Sequence, residues 1–242
     1  TVSAFVVAAA GAAAWLTIRA ERSAISETQE RVLRFVSGAE AVLNRTLIGI
    51  DLQLADMGSL LAPVTSPEGV LDRSAAERVL RGEVRRNLEF RDLAAVEEGG
   101  HVLAAAREQT ERLGVPLSTL FAHGTLTRPT PTMAISAPIM SLATSERALY
   151  FARPLQLTPG RRVLAVAEVP LSIITTLLAQ SVQIPGLVVT LERDDGQLLA
   201  SVPASDGQLG ERLAAALPEA AMGGAAVHAA GRLDGSPSIL AA

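Results

Sequence analysis

No proline occurs before Pro63, and the stretch ahead of it carries two successive helical patterns. Thr1 to Ile18, TVSAFVVAAAGAAAWLTI, has no charged residue. At 1.5 Å rise per residue it reaches about 27 Å as a helix, close to the ~30 Å hydrocarbon core of a bilayer. Trp15 falls near its end, where an indole suits the membrane interface, and Arg19, Glu21 and Arg22 close the apolar run. A cleaved signal peptide is the other reading, because AGAAA at 10–14 offers small residues to a peptidase. The continuation of apolar residues to Ile18, and of a helical pattern beyond it, favours a retained transmembrane helix over 1–18.

From Arg19 to Ala62, apolar residues fall at Ile25, Val32, Phe35, Ala39, Val42, Leu43, Leu47, Ile50, Leu54, Met57 and Leu61. Steps of three, four and seven mark one helix face. The other face carries Glu21, Glu27, Glu30, Arg34, Glu40, Arg45 and Asp56. Such a helix over 19–62 reaches about 65 Å. Pro63 and the polar VTSPEG stretch end it. A helix this long exceeds one small core. It either runs along several layers or pairs with a second copy, and its near-heptad first half fits a dimer seam.

The 242 residues suffice for one large or two small domains. Hydrophobic residues make up 49% and aromatics only 3%. The net charge of −4, with no long run of one sign, gives no basis for nucleic-acid binding. All 21 basic residues are Arg, which excludes a P-loop and every reaction that needs a lysine. With no cysteine, disulfides, thiolate catalysis and Cys-based metal sites are excluded too. Both ends of the chain read as cut, so it is expected to be a segment of a longer protein.

After a second short helix over about Ser74–Leu88, two hairpins stand out. Leu93–Glu97 and His101–Ala106 flank Gly99-Gly100; Val188–Glu192 and Gln197–Ser201 flank Asp195-Gly196. Gly-Gly and Asp-Gly predict type I′ turns, with positive φ at both central residues. Aligning Gly100 with Gly196 places Val102, Leu103, Ala104 and Ala105 on Leu198, Leu199, Ala200 and Ser201. The first hairpin is followed by a helical stretch (Arg107–Phe121), a Gly/Thr/Pro-rich loop (122–132), three strand-like runs (132–142, 147–157 and 161–171) and the short helix SIITTLLAQS. That order predicts an α+β unit: a five-stranded antiparallel sheet with helices on one side. The second hairpin is followed by a predicted helix over Gln208–Ala221 and by HAAGRLDGSPSILAA, which opens further strands. The pattern therefore starts a second time.

In its order of elements, and in LAAVEEGGHVLAA, YFARPLQLTPGRRVLAVAEVPLSII and LVVTLERDDGQLLAS, the chain resembles the double Cache domains, the PAS-like extracellular sensors of bacterial membrane receptors. The resemblance covers nearly everything after residue 18. It implies a membrane-distal module over 63–180 and an incomplete membrane-proximal module over 181–242, both buttressed by the long helix. It also implies a location at the bacterial inner membrane with residues 19–242 on the periplasmic or extracellular side. The implied function is ligand sensing for a cytoplasmic output such as cyclic-dinucleotide turnover or a histidine kinase. A membrane-anchored structural or protein-interaction module without a small-molecule ligand is the alternative.

Catalytic constellations are not found. His101, His123 and His228 stand apart without HExxH or an acidic partner at ligand spacing, and there is no GxSxG. Glu97-Glu98 and Asp194-Asp195 sit at hairpin tips, where solvated carboxylates favour the turn. Neither enzyme activity nor a cofactor or metal is expected of these residues. The resemblance places a ligand between the sheet and the 107–132 connection, which nominates Arg128, Tyr150 and Arg153. Strand alternation puts Tyr150 on one face and Phe151 and Arg153 on the other. A guanidinium among Leu149, Phe151 and Leu155 needs a bound anion, an internal carboxylate such as Asp92 or Glu168, or a place at an exposed edge. The chain has one Trp and one Tyr, so the Arg-Trp-Tyr pattern of amino-acid-binding Cache domains is absent. A small anion or carboxylate is the expected ligand, with a homodimer through the long helix.

Overall fold

The computed structural model describes residues 2–107, 119–127, 130–141, 144–180, 184–213 and 216–242. The proline-free stretch is one helix, α1 (Val2–Leu61). Among the described residues it is the helix long and apolar enough to cross a membrane. Near its start the Arg19 guanidinium lies 5.1 Å from the centre of the Trp15 ring, a cation–π pair. Pro63 ends the helix in a 3₁₀ turn, Ala62–Val64, and the Thr65 hydroxyl donates to the Leu61 carbonyl at 2.8 Å.

Two compact units form: Thr1–Ala41 with Ala214–Ala242, and Val42–Leu213. In the first, Val32 and Phe35 of α1 are buried and Gln29 Nε2 donates to the Ala226 carbonyl at 3.3 Å.

The second unit holds most of the structure. Helix α2 (Arg73–Arg86) starts at Asp72, whose side chain accepts from the Ala75 amide at 3.0 Å, and ends with Arg85 and Arg86 against its negative pole. The sheet strands are β1 (Asp92–Val96), β2 (Val102–Ala105), β3 (Ala134–Ile135), β4 (Ile139–Ser141), β5 (Glu146–Thr158) and β6 (Arg161–Pro170). Helix α3 (Thr119–Leu126) lies between β2 and β3 in sequence. The antiparallel order is β2-β1-β6-β5-β3, with β4 also on β5. The single run expected over 132–142 is split because Pro138 has no amide to give the ladder. At the break the Ser136 hydroxyl stands in for a carbonyl: it accepts from the Tyr150 amide at 3.0 Å, while the Ser136 amide donates to Tyr150 O at 2.9 Å. The expected five lanes are thus six strands.

One sheet face carries the main core. Ile50, Leu54, Met57 and Leu61 of α1 join Leu80 of α2, Phe151, Val163 and Ala165 of the sheet, and Ile174 and Leu178 of α4 (Leu171–Ala179). Strands β7 (Val189–Glu192) and β8 (Leu198–Val202) form the second hairpin, and Leu199 and Ala200 enter the same core. Helices were expected on one side only. Instead α3 covers the other face, and residues 122–126 of the expected loop belong to it.

The expected helix over Gln208–Ala221 does not form. Residues 208–213 turn back on the hairpin, with Gly210 N donating to Leu198 O (2.8 Å) and Leu198 N to Glu211 O (2.9 Å). Residues 214 and 215 lie outside the described residues, and Pro218 precedes a single-turn helix, α5 (Glu219–Met222). Backbone pairing to β8 competes with helix formation in a stretch broken by Gly207 and Gly210. The following strands form as expected, as the antiparallel pair β9 (Val227–Ala230) and β10 (Pro237–Leu240).

Both hairpins use one turn, and it is not type I′. Gly100 N donates to Glu97 O (2.9 Å) and Glu97 N to His101 O (2.9 Å); Gly196 N donates to Arg193 O (2.8 Å) and Arg193 N to Gln197 O (2.9 Å). Gly100 and Gly196 both have φ +81°, whereas Gly99 and Asp195 stay at negative φ. Each ladder shifts register next to the turn, at Ala95/Val96 and at Leu191/Glu192. This is a type I turn closed by a left-handed glycine and a bulge, which needs positive φ at one residue, not two. The expected equivalence of Gly100 with Gly196, and of Val102 with Leu198, is met.

The turn type predicts an asymmetry. Gly100→Ala and Gly196→Ala each lower unfolding free energy by about 1–2 kcal/mol, whereas Gly99→Ala changes it by under about 0.5 kcal/mol. Chemical denaturation distinguishes this from a type I′ turn, in which Gly99→Ala is as costly as Gly100→Ala.

Candidate functional site

The face of the sheet under α3 is built in three cross-strand rows. Register sets Ala105 beside Ala94, Ala94 beside Val166, Val166 beside Ala152 and Ala152 beside Ala134. Four alanines and a valine thus run across β2, β1, β6, β5 and β3. On one side, Val96, Leu164 and Pro154 are register neighbours. On the other side, Asp92 pairs with Glu168 and Glu168 with Tyr150. Ala122 and Leu126 of α3 close over the apolar part, with Phe121 and Tyr150 half-buried beside them. Alanines keep this face shallow in side chain, and the polar row borders it directly.

The polar row is tightly held. Asp92 is 3% exposed, and its Oδ1 accepts from the Arg107 amide at 3.1 Å. Glu168 accepts from Arg91 Nη1 at 3.2 Å. The Arg91 side chain is 9% exposed and also bonds Glu146 and, at 3.0 Å, the Thr144 hydroxyl. Ser172 donates to the other oxygen of Glu146. One guanidinium thus serves two carboxylates at the end of the sheet. Glu168, the more buried of the two, must keep that bond, because burying an unpaired charge is costly.

The structure separates the three nominated residues. Tyr150 lies on the α3 face. Arg153 lies on the α1 face and pairs with Asp51 of α1. The expected internal partners, Asp92 and Glu168, lie on the opposite face by strand alternation. Arg128 lies outside the described residues. Asp92 and Glu168 as neighbours of Tyr150, and the alanine row, escaped the sequence reading. Their signal was present as alternating small residues in DLAAV, AVAEV and YFARP, but only strand order aligns them.

The acid pairs at the hairpin tips have local partners. Glu98 meets His123 of α3 at 2.9 Å, both exposed. Asp195 receives a two-pronged bond from Arg193 (Nε 2.9 Å, Nη2 2.7 Å) and one from Arg212 at 2.8 Å. Those guanidiniums hold its carboxyl well below the usual carboxylate range. Among the described residues, no group of three or more His, Asp and Glu is placed to hold a metal ion.

No protein-family model matches the chain, and comparison with curated proteins finds no match. Solved structures do match. The ligand-binding domain of the Pseudomonas aeruginosa PAO1 amino acid chemoreceptor PctC, in complex with GABA, is 18% identical with a TM-score of 0.55; the alignment covers 78% of this chain and 81% of that one. The extracellular domain of a putative histidine kinase is 24% identical at TM-score 0.58, covering 78% and 74%. The ligand-binding domain of the Pseudomonas fluorescens chemoreceptor CtaA, in complex with L-isoleucine, is 15% identical at TM-score 0.60, covering 80% and 76%. The chain has the fold of these extracellular sensor domains, in agreement with the resemblance to double Cache domains.

The Asp195 cluster makes a pH prediction. A carboxyl whose folded pKa is depressed adds stability above the unfolded value of about 3.9 and loses it as pH falls below that. The gap in melting temperature between the parent chain and Asp195→Asn is therefore widest at pH 5 and above. It narrows steadily as the pH is lowered below about 4. A gap independent of pH would show that Asp195 does not act through its charge.

Proposed function

We propose that this chain is the extracellular ligand-sensing input region of a membrane signalling protein, with its ligand held on the α3 face of the sheet. The observation that carries the reading is a built face within a sensor-domain fold: a shallow alanine row covered by α3 and bordered by Asp92, Glu168 and Tyr150. In this reading residues 1–18 anchor the chain in the inner membrane and 19–62 form the stalk. Residues 63–180 are the membrane-distal module, and the membrane-proximal module starts at 181 with a hairpin that shares the distal sheet's core. Ligand binding shifts the sheet against α1, and α1 carries the shift to an output region across the membrane. A coupling free energy of about 1–3 kcal/mol is enough to change output severalfold.

The ligand we propose is a small molecule that carries a carboxylate and an ammonium group. A bare anion drew its support from Arg153, which pairs with Asp51 on the other face. With Glu168 paired to Arg91, Asp92 is the carboxylate of the row that suits an ammonium, and Tyr150 supplies a phenol that both donates and accepts. Similar domains are solved with GABA and with L-isoleucine, which fit this class. α1 also carries Ile48 (55% exposed) and Leu52 (59%), one turn apart. We assign this stripe to pairing with a second copy.

Two measurements test these statements on the full chain in detergent micelles. A panel of amino acids, GABA, dicarboxylates and inorganic anions is screened by thermal shift and then by titration calorimetry. At least one amine-bearing carboxylate raises the melting temperature, Tyr150→Ala weakens it about tenfold or more, and Arg153→Met changes it less than about threefold. A panel without any binder sinks the sensing reading. For the stripe, Ile48→Asp with Leu52→Asp shifts the chain toward monomer in analytical ultracentrifugation while leaving its circular dichroism unchanged; an unaltered association state rejects this interface.

A further inference from the structure

We propose that Arg193, held in place by Asp195, is the positioning residue that ties the second hairpin to the strand edge beside Tyr150. β3 is a two-residue edge strand, Ala134–Ile135. The ladder bonds on either side of the break run between Ser136 and Tyr150, so the Ile135 carbonyl points away from β5 toward the open edge. Arg193 Nη1 donates to that carbonyl at 3.2 Å. The same guanidinium uses Nε and Nη2 to grip both oxygens of Asp195. Asp195 is fixed in turn by Arg212 Nη2 at 2.8 Å and by the Gln197 amide at 3.3 Å.

The geometry needs an arginine. A planar fork satisfies a carboxylate with two donors and leaves a third aimed elsewhere, which a lysine ammonium does not reproduce. The chain of bonds then runs from the turn of the second hairpin, through one guanidinium, to Ile135. The next residue, Ser136, holds the backbone of Tyr150 from both sides. Arg193 therefore sets the position of the edge on which Tyr150 rests. Movement of either the hairpin or the Tyr150 segment is passed to the other through this contact. The bond network stands on geometry alone. Its use in signalling rests on the ligand-sensing reading, and the test below needs no ligand, so the two can fail separately.

Hydrogen exchange of the full chain in detergent micelles reads the tie directly. In Arg193→Gln and in Asp195→Asn, the amides of Ser136 and Tyr150 exchange about fivefold faster or more. The Leu198 amide, which bonds the Glu211 carbonyl of the segment after the second hairpin, and the Ala106 amide, bonded to Leu93 O far from it, keep their rates. Arg193→Lys gives an intermediate rate at Ser136 and Tyr150. Unchanged protection of Ser136 and Tyr150 in folded variants overturns the proposal. So does equal acceleration at all four amides, because Arg193 would then be an ordinary stabilising residue of the hairpin.

Discussion

The seam of Ile50, Leu54, Met57 and Leu61 on α1 is the contact on which the rest of the second unit depends. All four side chains are nearly or fully buried. Burial of each contributes about 1.5–3 kcal/mol. The seam fixes one face of the sheet against α1, and α2, α4 and the second hairpin add their apolar residues to the same core. The Asp51–Arg153 pair sits beside it, part-exposed, and a pair of that kind contributes about 1 kcal/mol or less. It joins Asp51 on α1 to Arg153 in the middle of β5.

Once that face is committed to α1, alternation decides the other. A residue two positions along a strand stays on the same face, and a residue one position along leaves it. Phe151, Arg153 and Leu155 therefore go to the helix, and Tyr150 and Ala152 go to α3. The same parity sends Ala94 and Val166 to the α3 side and Leu93, Ala95 and Ala165 to the core. The α3 side buries little volume per residue because alanines dominate it. The α1 side carries Phe, Leu, Met and Ile. The unit is therefore held from one face and free to be specialised on the other.

The helix, the two hairpins and the α+β sheet were legible because each has a strong local pattern. A proline-free amphipathic run makes a helix, and apolar runs about a Gly turn make a hairpin. The separation of Tyr150 from Arg153 was legible for the same reason. What stayed hidden depends on pairs distant in sequence. Asp51 as the partner of Arg153 requires α1 to lie across β5, and the row of Asp92, Glu168 and Tyr150 requires β6 to lie between β1 and β5. The type I′ expectation fails because Asp-Gly serves two hairpin geometries, and the bulged one spares Asp195 a strained backbone. The expected helix after the second hairpin gives way because backbone pairing to β8 outweighs a local Ala/Leu preference.

The two hairpins share a backbone but do different work at their tips: the first reaches α3 and the second reaches the open edge of β3. The first sends Glu98 to His123 on α3. That pair is exposed and screened, so it does not hold the helix down; Ala122 and Leu126, buried against the sheet, do. The second sends Arg193, part-buried and braced by Asp195, to the Ile135 carbonyl at the β3 edge of the sheet. The difference in burial decides which contact is mechanical. A solvated pair can break and reform without shifting the sheet. A braced guanidinium on an edge carbonyl leaves that carbonyl without its partner if it moves away. Repetition of one turn has thus placed a weak contact at the cover of the candidate site and a firm one at its edge.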